Sequence, residues 1–150
     1  MPFTTSVRHI MEAGLVAILQ AEPTLAGVNI YTGDSTATAV HPKVVVICES
    51  AECPTNFPDG LGNYDCNIRV IISDNANDTN LATHRQREAS VLATLSDEQA
   101  IKDYYAAQDP IEAYIYTLQR IPGAGQGIDP EGNYWNSVVR LQIRCVINPA

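Results

Sequence analysis

Apolar residues recur at helical spacing near the N-terminus, where Val7, Ile10, Met11, Gly14, Leu15, Ile18 and Leu19 share one side of residues 6–21. Ser6 is available as N-cap and Pro23 stands just past the end, so the spacing predicts an amphipathic helix of about four turns. Val28, Ile30 and Tyr31 then lie between glycines and predict a first strand. The β-branched run KVVVICES (residues 43–50) has no helical period and predicts a second strand, buried on both faces. A polar connection over residues 51–63, with two prolines and two glycines, leads to YDCNIRVIISD. There Cys66, Ile68, Val70 and Ile72 alternate with polar Asn67 and Arg69, the pattern of a half-buried strand.

Asp78 or Thr79 can cap a second helix running through Leu95, with Leu81, Ala89, Leu92 and Leu95 as its apolar stripe. Ser96 and Gln99 form a capping box for a shorter third helix over residues 97–108, ending near Pro110. Two long runs of strand composition, residues 111–121 and 133–147, are joined by residues 122–133 and predict a long antiparallel hairpin. On it Tyr114, Tyr116 and Arg120 alternate on a polar face with Arg140, Gln142 and Arg144. Ile111, Ile115 and Ile121, with Val139, Leu141, Ile143, Cys145 and Ile147, form the opposite row facing the helices. Strands outnumber the helices between them, so the expected class is α+β: a mostly antiparallel sheet, helices packed on one face, and a long C-terminal β-hairpin. No composition break or repeat divides the chain, and residues 1–150 read as a single domain.

Composition narrows the function classes. Seventeen acids against nine bases give a net charge of −8, and only two bases are lysines, Lys43 and Lys102. That leaves no basic patch to neutralise phosphates, which argues against nucleic-acid binding and attraction to anionic lipid. The longest aliphatic and cysteine run, residues 44–48, is far below a membrane span. The N-terminal residues lack the pattern of a secretion signal, so the expected compartment is a reducing cytoplasm.

Each candidate chemistry lacks a required member. Cys48 and Cys53 have loose zinc-ligand spacing, but Cys66 and Cys145 follow the apolar phase of their strands and read as buried thiols. Gly33, Asp34 and Ser35 begin the nucleophile block of GDS(L)-type hydrolases, yet Thr36 departs from it and no histidine follows His84 to serve as base. The run GAGQG (residues 123–127) suggests a phosphate cradle but leads into a strand and contains no lysine. His84 and Glu88, one helical turn apart, could share a metal, but no third ligand is signalled and Arg85 and Arg87 beside them predict a solvated face. Residues 74–78 are rich in oxygen ligands yet lack the central glycine and closing glutamate of a calcium loop, and read as a turn plus helix cap. The expectation is a non-enzymatic protein with no catalytic residue, cofactor or metal site.

The element order resembles the tail terminator and tail-completion proteins of long-tailed bacteriophages, which are related to neck and head-tail joining proteins. The likeness rests on an opening helix running into LAGVNIYTGD, the strand HPKVVVICES after it, a long loop before a further strand, a helical crossover and a long closing hairpin. It spans most of residues 6–147, and the helix over residues 97–108 departs from the pattern. The resemblance implies a virion protein, assembled in the host cytoplasm, that forms a homo-oligomeric ring, commonly six-fold. Such a ring caps the tail tube, ends its polymerisation and presents a surface to the neck or connector. Its partners would be itself, the tail tube protein and the connector, with DNA passing through the channel without specific binding and no membrane involved. A neck or head-completion protein is the alternative within the class; a small acidic cytoplasmic enzyme or ligand-binding domain is the alternative outside it. The candidate interface is the polar side and tip of the last hairpin: Tyr114, Tyr116, Arg120, Gly123, Gly125, Gly127, Asp129, Glu131, Arg140 and Arg144. Its twelve-residue connection, with four glycines, predicts a loop that orders against a partner.

Overall fold

The computed structural model describes residues 6–33, 40–53, 62–121, 126–128 and 133–147. In chain order these form α1 (Val7–Gln20), a 3-10 turn (Pro23–Leu25), β1 (Asn29–Thr32), β2 (Lys43–Glu52) and β3 (Asn63–Asn75). There follow α2 (Leu81–Ser96), α3 (Glu98–Ala106), β4 (Ala113–Ile121), β5 (Gln126–Ile128) and β6 (Tyr134–Ile147). The strands make one sheet in the order β1-β2-β3-β6-β4, with β5 also paired to β6. Only β1 and β2 run parallel. The expected α+β class, with a mostly antiparallel sheet and a C-terminal hairpin, is observed.

Alternation along the strands sends one row of each to the helices. Val44, Val46 and Cys48 of β2, Cys66, Ile68, Val70 and Ile72 of β3, and Val139, Leu141, Ile143, Cys145 and Ile147 of β6 are buried. They pack in one core with Ile10, Met11, Leu15 and Leu19 of α1, Val91 and Leu95 of α2, and Ile101 and Tyr105 of α3. No helix among the described residues is long and apolar enough to cross a membrane.

Several local expectations are corrected. The cap of α2 is Asn80, whose side chain accepts the Thr83 N–H at 2.8 Å, not Asp78 or Thr79. Asp97, not Ser96, caps α3 through the Ala100 N–H, while the Ser96 hydroxyl turns back to the Leu92 carbonyl. The buried stripe of α2 is His84, Val91 and Leu95, and Ala89 is exposed. The connection between the last two strands is not one long loop: β5 pairs Gln126 with Ser137 and Ile128 with Trp135, extending the line of β4 along β6. Of the predicted partner-ordering loop, residues 122–125 and 129–132 lie outside the described residues.

The largest correction concerns β4. An extra residue, Tyr116, sits between the pairs Ile115–Cys145 and Thr117–Arg144, a β-bulge that shifts the phase of everything after it. Arg120 therefore lies opposite Leu141 on the helix side, and Ile121 lies opposite Arg140 on the other, the reverse of simple alternation. Ile111 precedes the strand.

Glu12 is buried in α1, and its carboxylate bonds to backbone groups. Its two oxygens accept the N–H groups of Gly33 and Cys48, each at 3.0 Å. The described pairing of β1 with β2 runs to Thr32 and Val46, and the carboxylate accepts the Cys48 N–H just beyond it.

Gly14 is required by close packing. The Tyr105 ring lies against α1 and its hydroxyl donates to the Met11 carbonyl at 2.9 Å. A Cβ at position 14 would collide with the Tyr105 ring carbons and hydroxyl. We predict that Gly14→Ala lowers unfolding stability by about 1–3 kcal/mol despite its better helix propensity. Urea denaturation of the two proteins checks this; an unchanged or raised midpoint contradicts the packing account.

Candidate functional site

The sheet face turned away from the helices carries a connected set of polar and charged side chains. In the β3–β6 register Arg69 stands directly opposite Arg140, a like-charge pair that would destabilise the sheet if left alone. The chain resolves it with the β2 bulge, where Glu49 is the extra residue between the pairs Cys48–Ile68 and Ser50–Asn67. Glu49 Oε1 meets Arg69 Nε at 3.0 Å as a charge contact, without the alignment of a hydrogen bond, and Oε2 lies 3.5 Å from Arg140. Two same-face pairs further along, past Asn67–Gln142, Arg144 donates to both oxygens of Asp65, at 2.7 and 3.3 Å. Each such pair contributes little alone at an exposed surface, so their main effect is to fix side-chain positions on the face.

At the other end of this face residues 40–42 lie against the sheet. His41 stacks on Tyr134 with ring centroids 4.7 Å apart, and its Nε2 is 3.0 Å from the Ser73 hydroxyl. The Asn29 amide donates to the Val40 and Pro42 carbonyls, and the Val40 N–H donates to the Tyr31 hydroxyl.

The predicted interface residues divide. Tyr114, opposite Val146, Arg140 and Arg144 share the outer face, and Tyr116 projects from the bulge; the two tyrosines are 47% and 52% exposed. Arg120 is exposed but belongs to the opposite face for the reason given above. Gly127 lies in β5 opposite Asn136. Gly123, Gly125, Asp129 and Glu131 lie outside the described residues, as do Asp34 and Ser35 of the hydrolase-like triplet.

A second polar constellation lies beneath the helices, and the sequence reading missed it. His84 is fully buried, not on a solvated face. Its Nδ1 is 2.6 Å from Asp74 Oδ2 and its Nε2 is 2.8 Å from the Ser137 hydroxyl, which is 2.7 Å from Glu88 Oε2. Arg87 pairs with the other oxygen of Asp74. Asp74 thus belongs to a buried strand position, not to a turn. The periodicities held the signal: Asp74 continues the apolar phase of Ile68, Val70 and Ile72, Ser137 continues that of Val139 and Leu141, and His84 stands seven residues before Val91. The order Asp–His–Ser copies that of a nucleophilic triad, but Ser137 is 1% exposed and its hydroxyl also faces a carboxylate. An incoming carbonyl has no approach to it.

The thiols have no such arrangement either. Cys48, Cys66 and Cys145 are buried and free, and Cys53 is exposed. Cys66 and Cys145 hold their sulfurs 4.0 Å apart, about twice a disulfide bond. Hydrogen bonding to the Cys145 side chain, followed by burial, pushes the Cys66 thiol up to about 12, which disfavours the reactive thiolate. Among the described residues no group of three His, Cys, Asp or Glu side chains is placed to hold a metal ion.

The fold is similar to that of a chain in the solved virion of a native gene transfer agent particle. The TM-score is 0.55 at 13% sequence identity, covering 92% of this chain and 95% of that one. No protein-family model matches the sequence, and no curated protein matches it. The similarity establishes a shared fold over nearly the whole of both chains.

The buried network has a measurable weight. We predict that His84→Ala, which strips Asp74 of its ring partner, costs about 3–5 kcal/mol of unfolding stability. Chemical denaturation measures it, and a cost below 1 kcal/mol contradicts the described network. A fluorophosphonate that labels accessible nucleophilic serines is expected to leave Ser137 unmodified in the native protein, as read by peptide mass spectrometry.

Proposed function

We propose that this chain is a structural protein of a phage-like virion, acting as a tail terminator: a ring of identical subunits that caps the tail tube and offers its far side to the connector. The observation that carries this reading is the fold shared along nearly its entire length with a gene transfer agent virion chain. The molecule's surface agrees with assembly by contact. Among the described residues no helix covers one sheet face, its charges are pinned in place by ion pairs, and two exposed tyrosines stand where the bulge interrupts regular pairing at the β4 edge. Tyrosine supplies large, stiff contact area at low entropic cost. In a head-to-tail ring each subunit covers its neighbour's exposed edge or face, which closes the assembly without leaving a free strand.

The test is mass in solution and negative-stain imaging of the protein alone and mixed with its tail tube subunit. Rings are expected in at least the mixture, and their absence from both samples and from purified tails overturns the proposal. In the same assay Tyr114→Ala combined with Tyr116→Ala is expected to leave thermal unfolding nearly unchanged, because both rings are about half exposed. Subunit association should weaken by roughly tenfold or more. Unimpaired rings from that variant would remove the tyrosines from the interface.

A further inference from the structure

We propose that the cluster of buried Asp74, His84 and Ser137 with partly buried Glu88 holds one proton more than a neutral imidazole and two ionised carboxylates would carry, and that this proton couples the docking of α2 to pH. The argument is a count of hydrogens. The Ser137 hydroxyl has one hydrogen and two neighbours at hydrogen-bonding distance, His84 Nε2 at 2.8 Å and Glu88 Oε2 at 2.7 Å. If the ring is neutral with its hydrogen on Nδ1, facing Asp74 at 2.6 Å, then Ser137 can satisfy Nε2 or Glu88 but not both. If the hydrogen is on Nε2, Ser137 is free to serve Glu88, but bare Nδ1 then faces the Asp74 carboxylate. Either neutral tautomer leaves two lone pairs opposed at contact distance in a site where His84 and Ser137 are sealed from water. One added proton, on Nε2 or on Glu88, completes every bond, and the two placements interconvert by a shift through the Ser137 hydroxyl.

Charge gives the same answer. The groups facing the ring are Asp74 from β3, Ser137 from β6, and Glu88 within α2, with Arg87 of α2 on Asp74. With the extra proton the cluster is neutral; without it, it carries one uncompensated negative charge. On the far side of β3, His41 is the other titrating group that feels Asp74; burial and then Lys43 lower its proton affinity while Asp74 raises it. On this count the cluster keeps a proton that the unfolded chain loses as the pH passes the ordinary histidine value of about 6.5, so its contribution to stability falls as pH rises, while His41, its affinity lowered, contributes in the opposite sense.

Glu88→Gln separates this from every other titration. The glutamine amide donates to Ser137, Ser137 donates to Nε2, and the neutral ring is satisfied with no added proton. Between pH 6 and pH 9 the Tm of the wild type is expected to fall by at least about 3 °C more than that of Glu88→Gln. Parallel curves overturn the proposal. Nitrogen and carbon NMR of the wild type at pH 7.5 gives an independent reading should the variant fold poorly. A proton on both ring nitrogens or on the Glu88 carboxyl supports the proposal, and a bare ring nitrogen beside an ionised Glu88 overturns it.

Discussion

The uninterrupted pairing of β3 with β6, from Asn63 opposite Val146 to Asn75 opposite Tyr134, is the constraint on which the rest of the molecule depends. Side chains alternate with a period of two, so a one-residue slip would replace Cys66, Ile68, Val70 and Ile72 in the core with Asp65, Asn67, Arg69 and Ile71. That exchange would bury an arginine and an aspartate, so the register is held by a penalty spread along both strands. Everything polar on either face then takes its place from this ladder: Asp65 beside Arg144, Arg69 beside Arg140, Asp74 within reach of Ser137's row.

The strands flanking this rigid pair are where the chain departs from regularity. Each carries one bulge, at Glu49 in β2 and at Tyr116 in β4. The first delivers a carboxylate to two opposed arginines that the ladder itself had forced together. The second turns the outermost strand out of phase and exposes an aromatic ring at the sheet's edge, which interrupts a row of backbone groups otherwise open to pairing. Glu98 reinforces the same edge by accepting the Leu118 N–H at 3.2 Å. On the opposite flank Glu12 serves Cys48 where β1 ends. Two carboxylates from two helices thus accept backbone N–H groups at the two flanks of the sheet.

This division explains what was legible in the sequence. The helix of Met11, Leu15 and Leu19 and the rows of β3 and β6 are regular elements whose burial follows from period alone, and they were read correctly; β2, expected to be buried on both faces, buries Val44, Val45, Val46 and Cys48 but leaves Glu49 exposed. The bulge at Tyr116 leaves no mark in composition, since YIYTLQR alternates acceptably in either phase; only pairing with β6 decides that Arg120 turns to one face and Ile121 to the other. Asn80 outcompeted Asp78 and Thr79 as cap because residues 75–79 are used by the turn, in which Asn75 accepts the Asn77 N–H and the Thr79 N–H donates to the Asn75 carbonyl. Of the candidate interface, Tyr114, Arg140 and Arg144 were placed on their face by strand alternation. The buried network escaped because its four members come from three elements, and a polar residue in an apolar phase looks in sequence like the end of a strand.

The two kinds of contact holding the helices have different physical consequences. α1 and α3 meet the sheet through Met11, Leu15, Leu19, Ile101 and Tyr105, whose burial is favourable over a range of small displacements. The N-terminal half of α2 meets it through His84, Glu88 and Arg87, and hydrogen bonds at 2.6–2.8 Å tolerate almost no sliding. Apolar packing supplies attraction without specifying one position of a helix along a sheet; a satisfied polar network specifies the position and adds little net attraction. Since α2 leads directly into α3 through Asp97, the network that positions α2 also sets where Glu98 begins and hence which N–H of β4 it reaches. The polar core therefore reaches the candidate interface at the β4 edge through two helices, without any of its atoms being exposed there.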